Sequence, residues 1–428
     1  MTVNVMTGSI SGNISAIPSK SHLHRLLIMA SLADKDTFLR CFEADAEDIR
    51  ATIHCLSALG AVIKRQHDGF SVTPINRKCL PSKCVLPCME SGSTLRFMLP
   101  IVCALGIHGS FHMSGRLPER PLELLNDVLC NHGIRLWHST PNVLCCEGQL
   151  LAGDFTIPGD VSSQYITGLL MALTQLDEDC SLTVTGNIES SSYITMTLDA
   201  MALFGISPSV SNNRYSIDGG ITLISPESAD VEGDWSNAAF WLCSGAMPGG
   251  NVQINGLKKD SSQGDREVCN ILKHMGADVK WEGNILRVSE CKRHGVEIDA
   301  REIPDLVPIL AAVAAVSEGV TTIKNAARLR FKESDRLATT TQTLNLLGAK
   351  ITEDIEIDEL RIEGVPALKG GKIDSFGDHR IAMMAAIAST ACENPVTITG
   401  AQAVNKSYPT FWNELSALGK TVMTEGAL

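Results

Sequence analysis

The sequence lacks the long apolar segments and basic clusters that are typical of membrane and nucleic-acid-binding proteins. No apolar run approaches the ~20 residues that a membrane-spanning helix needs. Lys and Arg number 36 against 48 Asp and Glu, which gives a net charge of −12 with no basic block. This balance argues against nucleic-acid partners and against anionic membrane surfaces. Aromatic residues make up only 5%, so small aliphatic side chains must fill most of the core.

Metal-binding and nucleotide-binding motifs are also missing. The 14 cysteines form no CxxC pair, and the tightest group, Cys79, Cys84 and Cys88, has no neighbouring histidine to complete a zinc site. Reduced thiols and the absence of a signal-peptide pattern in the first 20 residues predict a cytoplasmic protein. There is no G-x-x-x-x-G-K-[ST] and no G-x-G-x-x-G after a strand, so a kinase or a dinucleotide enzyme is unsupported.

The most informative feature is an internal repeat in which an amphipathic helix ends at a glycine and a strand follows. Its glycines, 71 to 73 residues apart, are Gly60, Gly133, Gly205, Gly276, Gly348 and Gly419. Each fits the C′ position, where a left-handed residue ends a helix. The segments after the first five predict β-hairpins, two of them with turns at Asp68-Gly69 and Gly283-Asn284. The chain therefore predicts six small α/β units.

A second series of short polar loops runs in step with the first, and each loop opens a nearly wholly apolar helix. These loops, 70 to 73 residues apart, are marked by Lys20, Gly92, Ser162, Asp234, Asp305 and Asp378. Helices that are apolar on all sides are buried, so we expect six buried helices with capping residues at their starts. Convergence of their N–H groups and partial positive charges would make an anion site.

The cations of this acidic chain are concentrated near the same loops. They are Lys20, Arg25, Arg120, Lys332, Arg336, Arg380 and Lys406. Arginine suits a bidentate grip on carboxylate or phosphate, whereas lysine offers a point charge to phosphate oxygens. The pattern predicts a site for a small anionic ligand.

The chain resembles the 5-enolpyruvylshikimate-3-phosphate (EPSP) synthase family over nearly its whole length. The resemblance is carried, in order, by PSKSHLHRLL, ESGSTLRF, LPERPL, GDVSSQYITGLLMA, VEGDW, IPDLVPILAAVAA, RFKESDR, GDHRIAMM and NKSYP. It implies an α/β fold, a two-domain inside-out α/β barrel of six βαβαββ units, three per domain, around buried helices. Residues 1–18 with 231–428 would form the first domain and residues 19–230 the second, with the active site in the cleft between them.

The resemblance also implies an activity. The family transfers the enolpyruvyl group of phosphoenolpyruvate to the 5-hydroxyl of shikimate 3-phosphate by addition and elimination, without a metal or an organic cofactor. The expected partners are therefore these two small molecules, and the protein is expected to act as a monomer in chorismate and aromatic amino-acid biosynthesis. Gly92 would line the phosphoenolpyruvate site, where the family's inhibitor glyphosate competes.

Residue roles follow only from the matching motifs. The catalytic residues would be Asp305 as the base toward the 5-hydroxyl, with Glu333 and Lys20 as proton donors, and the division of work among the three stays open. Phosphoenolpyruvate contacts are implied for Lys20, Gly92, Arg120, Gln164, Arg336, Arg380 and Lys406. Shikimate 3-phosphate contacts are implied for Lys20, Ser21, Arg25, Ser162, Ser163, Gln164, Ser190, Tyr193, Asp305 and Lys332.

Two residues depart from the family pattern, and other readings remain open. Glu90 stands where many members carry Asn, and Arg328 stands where Asn is found in some. The alternatives are an enolpyruvyl transferase acting on UDP-N-acetylglucosamine and a non-catalytic phosphate-ligand binding protein on the same fold. The first typically uses a loop cysteine, which the stretch 110–129 around Arg120 lacks. An RNA 3′-phosphate cyclase-like protein is disfavoured by the acidic balance.

Overall fold

The computed structural model describes residues 1–42, 45–290 and 292–425 of the chain. The strands in this part are β1 (Thr2–Val5), β2 (Ser11–Ser15), β3 (Thr37–Arg40), β4 (Val62–Gln66), β5 (Gly69–Thr73), β6 (Lys83–Met89), β7 (His108–Met113), β8 (Arg135–Thr140), β9 (Val143–Glu147), β10 (Asp154–Pro158), β11 (Cys180–Thr185), β12 (Ser209–Ser211), β13 (Arg214–Ile217), β14 (Ser228–Asp230), β15 (Asn251–Asn255), β16 (Asp278–Glu282), β17 (Ile285–Ser289), β18 (Glu297–Asp299), β19 (Val320–Lys324), β20 (Lys350–Asp354), β21 (Glu359–Glu363), β22 (Gly371–Asp374), β23 (Val396–Thr399) and β24 (Val422–Glu425). The α-helices are α1 (Lys20–Ser31), α2 (Glu47–Ala58), α3 (Gly92–Ala104), α4 (Glu123–Asn131), α5 (Ser163–Leu173), α6 (Ser191–Leu203), α7 (Trp235–Ala246), α8 (Val268–His274), α9 (Val307–Ala314), α10 (Arg336–Leu346), α11 (His379–Ala388) and α12 (Phe411–Ala417).

The chain folds as two compact units, each with its own hydrophobic core. Unit 1 comprises Met1–Ile17 and Glu232–Leu428, and unit 2 comprises Pro18–Val231. These limits lie one residue from the expected ones, since Pro18 and Val231 both fall in unit 2. Val231 is tied there by its N–H, which donates to the Arg40 carbonyl at 3.0 Å.

Six four-stranded sheets share one topology. The sheet β10-β11-β13-β12 is typical: β10 and β11 run parallel, β11 pairs antiparallel with β13, and β13 pairs antiparallel with β12. Parallel strands need a crossover, and α5 supplies it here. The same order of parallel and antiparallel pairs recurs in β6-β7-β9-β8, β14-β3-β5-β4, β2-β15-β17-β16, β18-β19-β21-β20 and β22-β23-β1-β24. The parallel partners β3 and β14, and β2 and β15, lie far apart in the chain, because each of these sheets combines strands from distant segments. The prediction of an α/β fold built from six βαβαββ units is confirmed.

The glycine repeat ends the second helix of every unit. All six glycines have φ between +78° and +105°, the left-handed region that L side chains rarely adopt. The residue after each glycine donates its N–H back five residues, as in Ala277 to Leu272 at 2.8 Å, which closes a Schellman motif. The predicted turn at Gly283-Asn284 is confirmed.

The turn expected at Asp68-Gly69 lies one residue earlier, at His67-Asp68. Gly69 instead begins β5 and pairs with both Arg40 and Gln66. A side chain on Gly69 would clash with the Leu39 carbonyl of the neighbouring strand. The glycine is therefore needed for close strand approach and not for the turn.

The first helix of each unit is buried on nearly every side. These helices are α1, α3 and α5 in unit 2 and α7, α9 and α11 in unit 1. Every residue of α9 and of α11 is buried. No α-helix among the described residues is long and apolar enough to span a membrane.

The caps of these helices differ between the units. In unit 2 the hydroxyls of Ser19, Ser91 and Ser162 accept the first free N–H groups, whereas in unit 1 the carboxylates of Asp234 and Asp378 do so. A serine cap leaves the positive end of the helix dipole without a neutralising charge, and an aspartate cap opposes it. The three helix starts of unit 2 are therefore better suited to anions.

One of the six expected caps is wrong. Asp305 lies in the 3₁₀ turn Pro304–Leu306 directly before α9, and no side chain caps that helix. The Asp305 carboxylate does not reach back to the helix N–H groups because arginine side chains bind it instead.

Candidate active site

In unit 1, one buried arginine binds three acidic side chains. Arg336 is the first residue of α10, and its side chain is 1% exposed. Its Nε donates to Asp378 Oδ2 at 2.8 Å, its Nη1 to Asp305 Oδ1 at 2.7 Å, and its Nη2 to Glu333. The two terminal nitrogens of one guanidinium group therefore hold the two predicted catalytic acids, Asp305 and Glu333.

Asp305 is surrounded by three cations. Besides Arg336, Arg380 Nη2 donates to Oδ2 at 3.0 Å and Lys332 Nζ lies 3.5 Å from Oδ1. Burial raises the pKa of the Asp305 carboxyl, but Arg380, Lys332 and Arg336 outweigh it and hold the pKa well below its ordinary value. Asp305 is therefore an ionised carboxylate at neutral pH.

Lys332 carries a charge that changes close to neutral pH. Burial lowers the pKa of its ammonium group to about 8, although the carboxylate of Asp305 acts in the opposite direction. The side chain is 25% exposed and precedes Glu333 in the RFKESDR segment. A lysine of this kind can either bind an anion or exchange a proton near neutral pH.

Lys406 completes the predicted set in unit 1. It ends the 3₁₀ segment Ala401–Lys406 and donates to the Gly377 carbonyl at 2.8 Å. Gly377 directly precedes Asp378, the acid that binds Arg336. The structure thus brings Lys406 next to the network of Asp305, Lys332, Glu333, Arg336 and Arg380.

In unit 2, Arg25 connects three helices. It is 2% exposed and donates to Thr197 Oγ1 at 2.8 Å, to the Tyr193 and Ser21 carbonyls at 3.0 and 2.6 Å, and to Thr167 Oγ1 at 3.2 Å. Four of the five N–H groups of the guanidinium are therefore used within the protein. Arg25 chiefly orients α1, α5 and α6, and at most one N–H remains for a ligand.

Gly92 lies between two guanidinium groups. It is the first residue of α3, and a Cβ there would lie 2.5 Å from Arg96 Nη1 and 2.7 Å from Arg120 Nη1. Arg96 Nη1 also donates to Gln164 Oε1 at 3.2 Å, and Gln164 Nε2 donates to Ser93 Oγ at 2.9 Å. Predicted residues Gly92, Arg120 and Gln164 thus share one positively charged corner.

Lys20 is the first residue of α1 and is paired with an acid. Its Nζ lies 2.6 Å from Asp48 Oδ2, with side-chain exposures of 18% and 13%. The Asp48 carbonyl in turn accepts from Thr94 Oγ1 in the first turn of α3. This connection joins the start of α1 to the start of α3.

The predicted serines lie at helix starts. Ser162 caps α5 by accepting from the Gln164 N–H, and Ser163 is the first residue of that helix. Ser190 precedes α6 with φ +54°, is 3% exposed, and accepts from the Tyr193 N–H at 3.1 Å. A serine held in the left-handed region is strained, which is common at functional sites.

The two residues that depart from the family pattern, Glu90 and Arg328, each contact a residue outside the predicted set. The Glu90 carboxylate lies against Gly115, where a Cβ would collide with it. Arg328 is partly exposed, and its Nη2 donates to the Arg301 carbonyl at 3.2 Å. The positive charge of Arg328 also lowers the pKa of the Lys332 ammonium group.

The described residues contain no group of three or more His, Cys, Asp or Glu side chains that could hold a metal ion. The cysteines they contain are all free thiols. Cys79, Cys84 and Cys88 are among them.

Comparison with known proteins decides the family. A family model described as EPSP synthase (3-phosphoshikimate 1-carboxyvinyltransferase) matches residues 6–415. The chain belongs to this family. A 3-phosphoshikimate 1-carboxyvinyltransferase from Clostridium kluyveri is 41% identical over 420 residues, which cover 97% of each chain. The enzyme of that name from Clostridioides difficile is 37% identical over 431 residues, covering 98% of this chain and 97% of the relative.

Solved structures agree with this assignment. An EPSP synthase from Acinetobacter baumannii is 25% identical, with a TM-score of 0.79 over 99% of this chain and 100% of the other. The enolpyruvyl transferase NikO from Streptomyces tendae shares the fold at 17% identity, with a TM-score of 0.78 over 99% and 98% of the two chains. The EPSP synthase resemblance inferred from the motifs is confirmed, and the UDP-N-acetylglucosamine alternative is not favoured.

Sequence reasoning on this EPSP synthase family member missed three charged residues. Arg96 lies inside the motif ESGSTLRF, four residues after Gly92, and that spacing on a helix places it over the glycine. The sequence predicts Asp378 only as a helix cap, but its carboxylate also binds Arg336. Asp48 carried no sequence signal, because its pairing with Lys20 depends on how α1 and α2 pack.

Proposed function

We propose that this chain transfers the enolpyruvyl group of phosphoenolpyruvate to the 5-hydroxyl of shikimate 3-phosphate and releases phosphate. Membership of the EPSP synthase family supports this activity. The observation that carries the proposal is the Asp305 carboxylate held among Lys332, Arg336 and Arg380, with Glu333 on the same arginine. Such a cluster combines acid–base groups with cations for an anionic substrate.

The reaction needs two proton movements in its addition step. The 5-hydroxyl oxygen bonds to C2 of phosphoenolpyruvate and loses its proton to Asp305, while the methylene carbon C3 gains a proton from Glu333 or Lys20. The tetrahedral intermediate then loses a proton from C3 and the C2–O bond to phosphate, which restores the double bond. No metal or organic cofactor takes part in this scheme.

Asp305 becomes a better base once substrate is bound. Without ligand the cations around it hold the pKa of its carboxyl well below its ordinary value. A substrate carboxylate bound by Arg336 and Arg380 would balance part of their charge and raise the proton affinity of Asp305. Binding of phosphoenolpyruvate and activation of the base are thus coupled through the same arginines.

The remaining residues are proposed to bind substrate. The phosphate of phosphoenolpyruvate is assigned to Lys20, Arg120 and Lys406, with Gly92 and Gln164 lining that site. Shikimate 3-phosphate is assigned to Ser21, Arg25, Ser162, Ser163, Gln164, Ser190, Tyr193 and Lys332. The serine-capped helix starts of α1, α3 and α5 support this assignment, because they offer N–H groups and partial positive charge without a competing carboxylate.

We further propose that the protein works in the cytoplasm as a monomer, with small molecules as its only partners. The free thiols of the described cysteines and the net charge of −12 are consistent with this. A single peak with the mass of one chain is expected in size-exclusion chromatography with light-scattering detection.

One assay tests the proposed function. Phosphate release from phosphoenolpyruvate is measured with shikimate 3-phosphate or with UDP-N-acetylglucosamine as acceptor, in buffer with and without EDTA. Only shikimate 3-phosphate should support release, and EDTA should change nothing. Turnover with the nucleotide sugar alone would contradict the proposal. Binding of shikimate 3-phosphate without any release of phosphate would also contradict it.

A further inference from the structure

The Pro121 carbonyl in unit 2 accepts hydrogen bonds from two side chains to which the proposed function gives no role. The Tyr165 hydroxyl, near the start of α5, donates to it at 2.5 Å, and Arg96 Nη2, on α3, donates to it at 3.0 Å. Both side chains are buried. A carbonyl oxygen has two lone pairs, so these two donors together fix the direction of the carbonyl group.

Pro121 directly follows Arg120, and the backbone that joins them is stiff. The two residues lie between the 3₁₀ turn Leu117–Glu119 and α4. The proline ring fixes its own φ and restricts the residue before it to extended conformations. Arg120 has such a conformation, with φ −79° and ψ 136°. A carbonyl held at Pro121 therefore also limits the directions in which the Arg120 side chain can leave the backbone.

The guanidinium group of Arg120 lies close to that of Arg96. A Cβ on Gly92 would lie 2.7 Å from Arg120 Nη1 and 2.5 Å from Arg96 Nη1, so the two groups converge at one glycine. Arg96 is fixed there, because its Nη1 donates to Gln164 Oε1 at 3.2 Å and its Cζ lies 5.7 Å from the centre of the Tyr165 ring. Like charges repel, so the more exposed Arg120 is the one that would move away. Its place beside Gly92 therefore depends on how firmly its backbone is held.

We propose that Tyr165 is a positioning residue for Arg120. Its hydroxyl, together with Arg96, holds the Pro121 carbonyl and so keeps the Arg120 guanidinium beside Gly92. The inference rests on the proposed function in taking Arg120 as a ligand of the phosphate of phosphoenolpyruvate. Burial raises the pKa of the Tyr165 hydroxyl above its ordinary value, so the group stays protonated and can donate this hydrogen bond at neutral pH.

Steady-state kinetics of Tyr165→Phe test the inference. Phenylalanine keeps the ring beside Arg96 and removes only the hydroxyl. The KM for phosphoenolpyruvate should rise roughly three- to tenfold, the effect of losing one hydrogen bond, while the KM for shikimate 3-phosphate keeps its parent value. A merely structural role of the hydroxyl would not separate the two substrates. Tyr215→Phe is the matched control, because it removes the hydroxyl of a buried tyrosine on β13 in the same unit, and it should change neither constant.

A double-mutant cycle shows whether Tyr165 acts through Arg120. Arg120→Ala should by itself raise the KM for phosphoenolpyruvate. Adding Tyr165→Phe should then have almost no further effect, because the hydroxyl no longer has a guanidinium group to position. Effects that simply add would overturn the inference. A parent-like KM for phosphoenolpyruvate in Tyr165→Phe, or an equal rise for both substrates, would overturn it as well.

NMR spectra of the arginine Nε–H groups, recorded without substrate, separate this inference from the proposed function. The signal that is missing in Arg120→Ala identifies Arg120. It should report an ordered side chain in the parent, shift or broaden in Tyr165→Phe, and stay unchanged in Tyr215→Phe. A mobile Arg120 in the parent overturns the inference even if the enzyme is active, and this measurement does not require Tyr165→Phe to fold. An unchanged signal in Tyr165→Phe overturns it too.

If no acceptor supports phosphate release, the proposed function fails while the NMR result still decides the inference. Calorimetric titration with phosphoenolpyruvate then adds a second readout that needs no turnover. Binding that is weaker in Tyr165→Phe than in the parent and in Tyr215→Phe supports the inference independently. Equal affinity in all three proteins contradicts it.

Discussion

Arg336 and Asp378 form a salt bridge of 2.8 Å between side chains that are 1% and 0% exposed. The same carboxylate caps α11 by accepting from the Arg380 N–H at 2.9 Å and also accepts from the Ser334 hydroxyl at 3.0 Å. One buried acid therefore fixes the orientation of Arg336 and the start of the helix that carries Arg380. Both arginines proposed to bind the phosphoenolpyruvate carboxylate depend on it.

Asp378→Asn should reduce both stability and activity. Asparagine still caps a helix well, but it takes from Arg336 the most deeply buried of its three negatively charged partners. We expect a loss of about 2 kcal/mol in the free energy of unfolding, less than for a buried charge left with no partner, because Asp305 and Glu333 still bind Arg336. The value of kcat/KM for phosphoenolpyruvate should fall with it. Urea unfolding and steady-state kinetics would measure the two effects.

Asp335→Asn is the matched control. Asp335 caps α10 by accepting from the Ala338 N–H at 3.1 Å, but its side chain is 36% exposed. Its partner Arg330 keeps two further acids, Asp358 and Glu353, just as Arg336 does, so the two variants differ chiefly in burial. The expected loss is under ~1 kcal/mol. Equal losses in the two variants would show that the caps matter and the buried pair does not.

Asp305→Asn and Glu333→Gln should each lower kcat by roughly 10²–10⁴-fold, the usual contribution of general acid–base groups. Both changes keep side-chain size, so the proteins should still fold, as circular dichroism would check. Asp299→Asn changes an acid that is 49% exposed in the same unit and should leave kcat within a few-fold. Normal turnover in Asp305→Asn or in Glu333→Gln would remove that residue from the mechanism.

The repeated architecture was predictable because local chemistry repeats. Each glycine that ends the second helix of a unit has a left-handed φ, and a residue with a Cβ is disfavoured there. The apolar composition of α9 and α11 likewise required burial. The place of Gly69 in β5, and not in the turn, was not predictable, because the glycine is required by the carbonyl of Leu39 on a strand 30 residues earlier.

The candidate site was predictable only in part. Asp305, Glu333 and Arg336 could be named from motifs, but their shared salt bridges depend on how α9, α10 and α11 pack. Asp48 stands in an ordinary polar segment, EDIR, and only its salt bridge to Lys20 singles it out. Long-range pairing of charges leaves no periodic pattern in a sequence, so such residues are missed.

Gly92→Ala should weaken phosphoenolpyruvate binding without unfolding the protein. Gly92 has an ordinary helical backbone, so alanine introduces no strain of φ. Its methyl group would lie 2.5 Å from Arg96 Nη1 and 2.7 Å from Arg120 Nη1, so both guanidinium groups must move. We expect a higher KM for phosphoenolpyruvate, weaker inhibition by glyphosate and an unchanged Tm. Parent-like inhibition would show that the glycine does not line the pocket.

The charge of Lys332 should make both the stability of the fold and the binding of an anion depend on pH. Burial lowers the pKa of its ammonium group from 10.5 to about 8, so the folded protein binds this proton less tightly than the unfolded chain. Between these two values the unfolded chain carries more protons, and the contribution of Lys332 to stability rises with pH. Its ability to bind an anion changes the other way, because the charge is lost as pH rises through about 8.

The kcat/KM for shikimate 3-phosphate should therefore fall above pH 8 in the parent, with phosphoenolpyruvate saturating. Lys332→Arg keeps its charge throughout the range and should lose this fall, although a bulkier guanidinium beside Asp305 will lower the plateau. Lys324→Arg makes the same change at a side chain that is 37% exposed and paired with Glu297, and it should keep the parent profile. A fall that persists in Lys332→Arg with its midpoint unchanged would show that another group titrates.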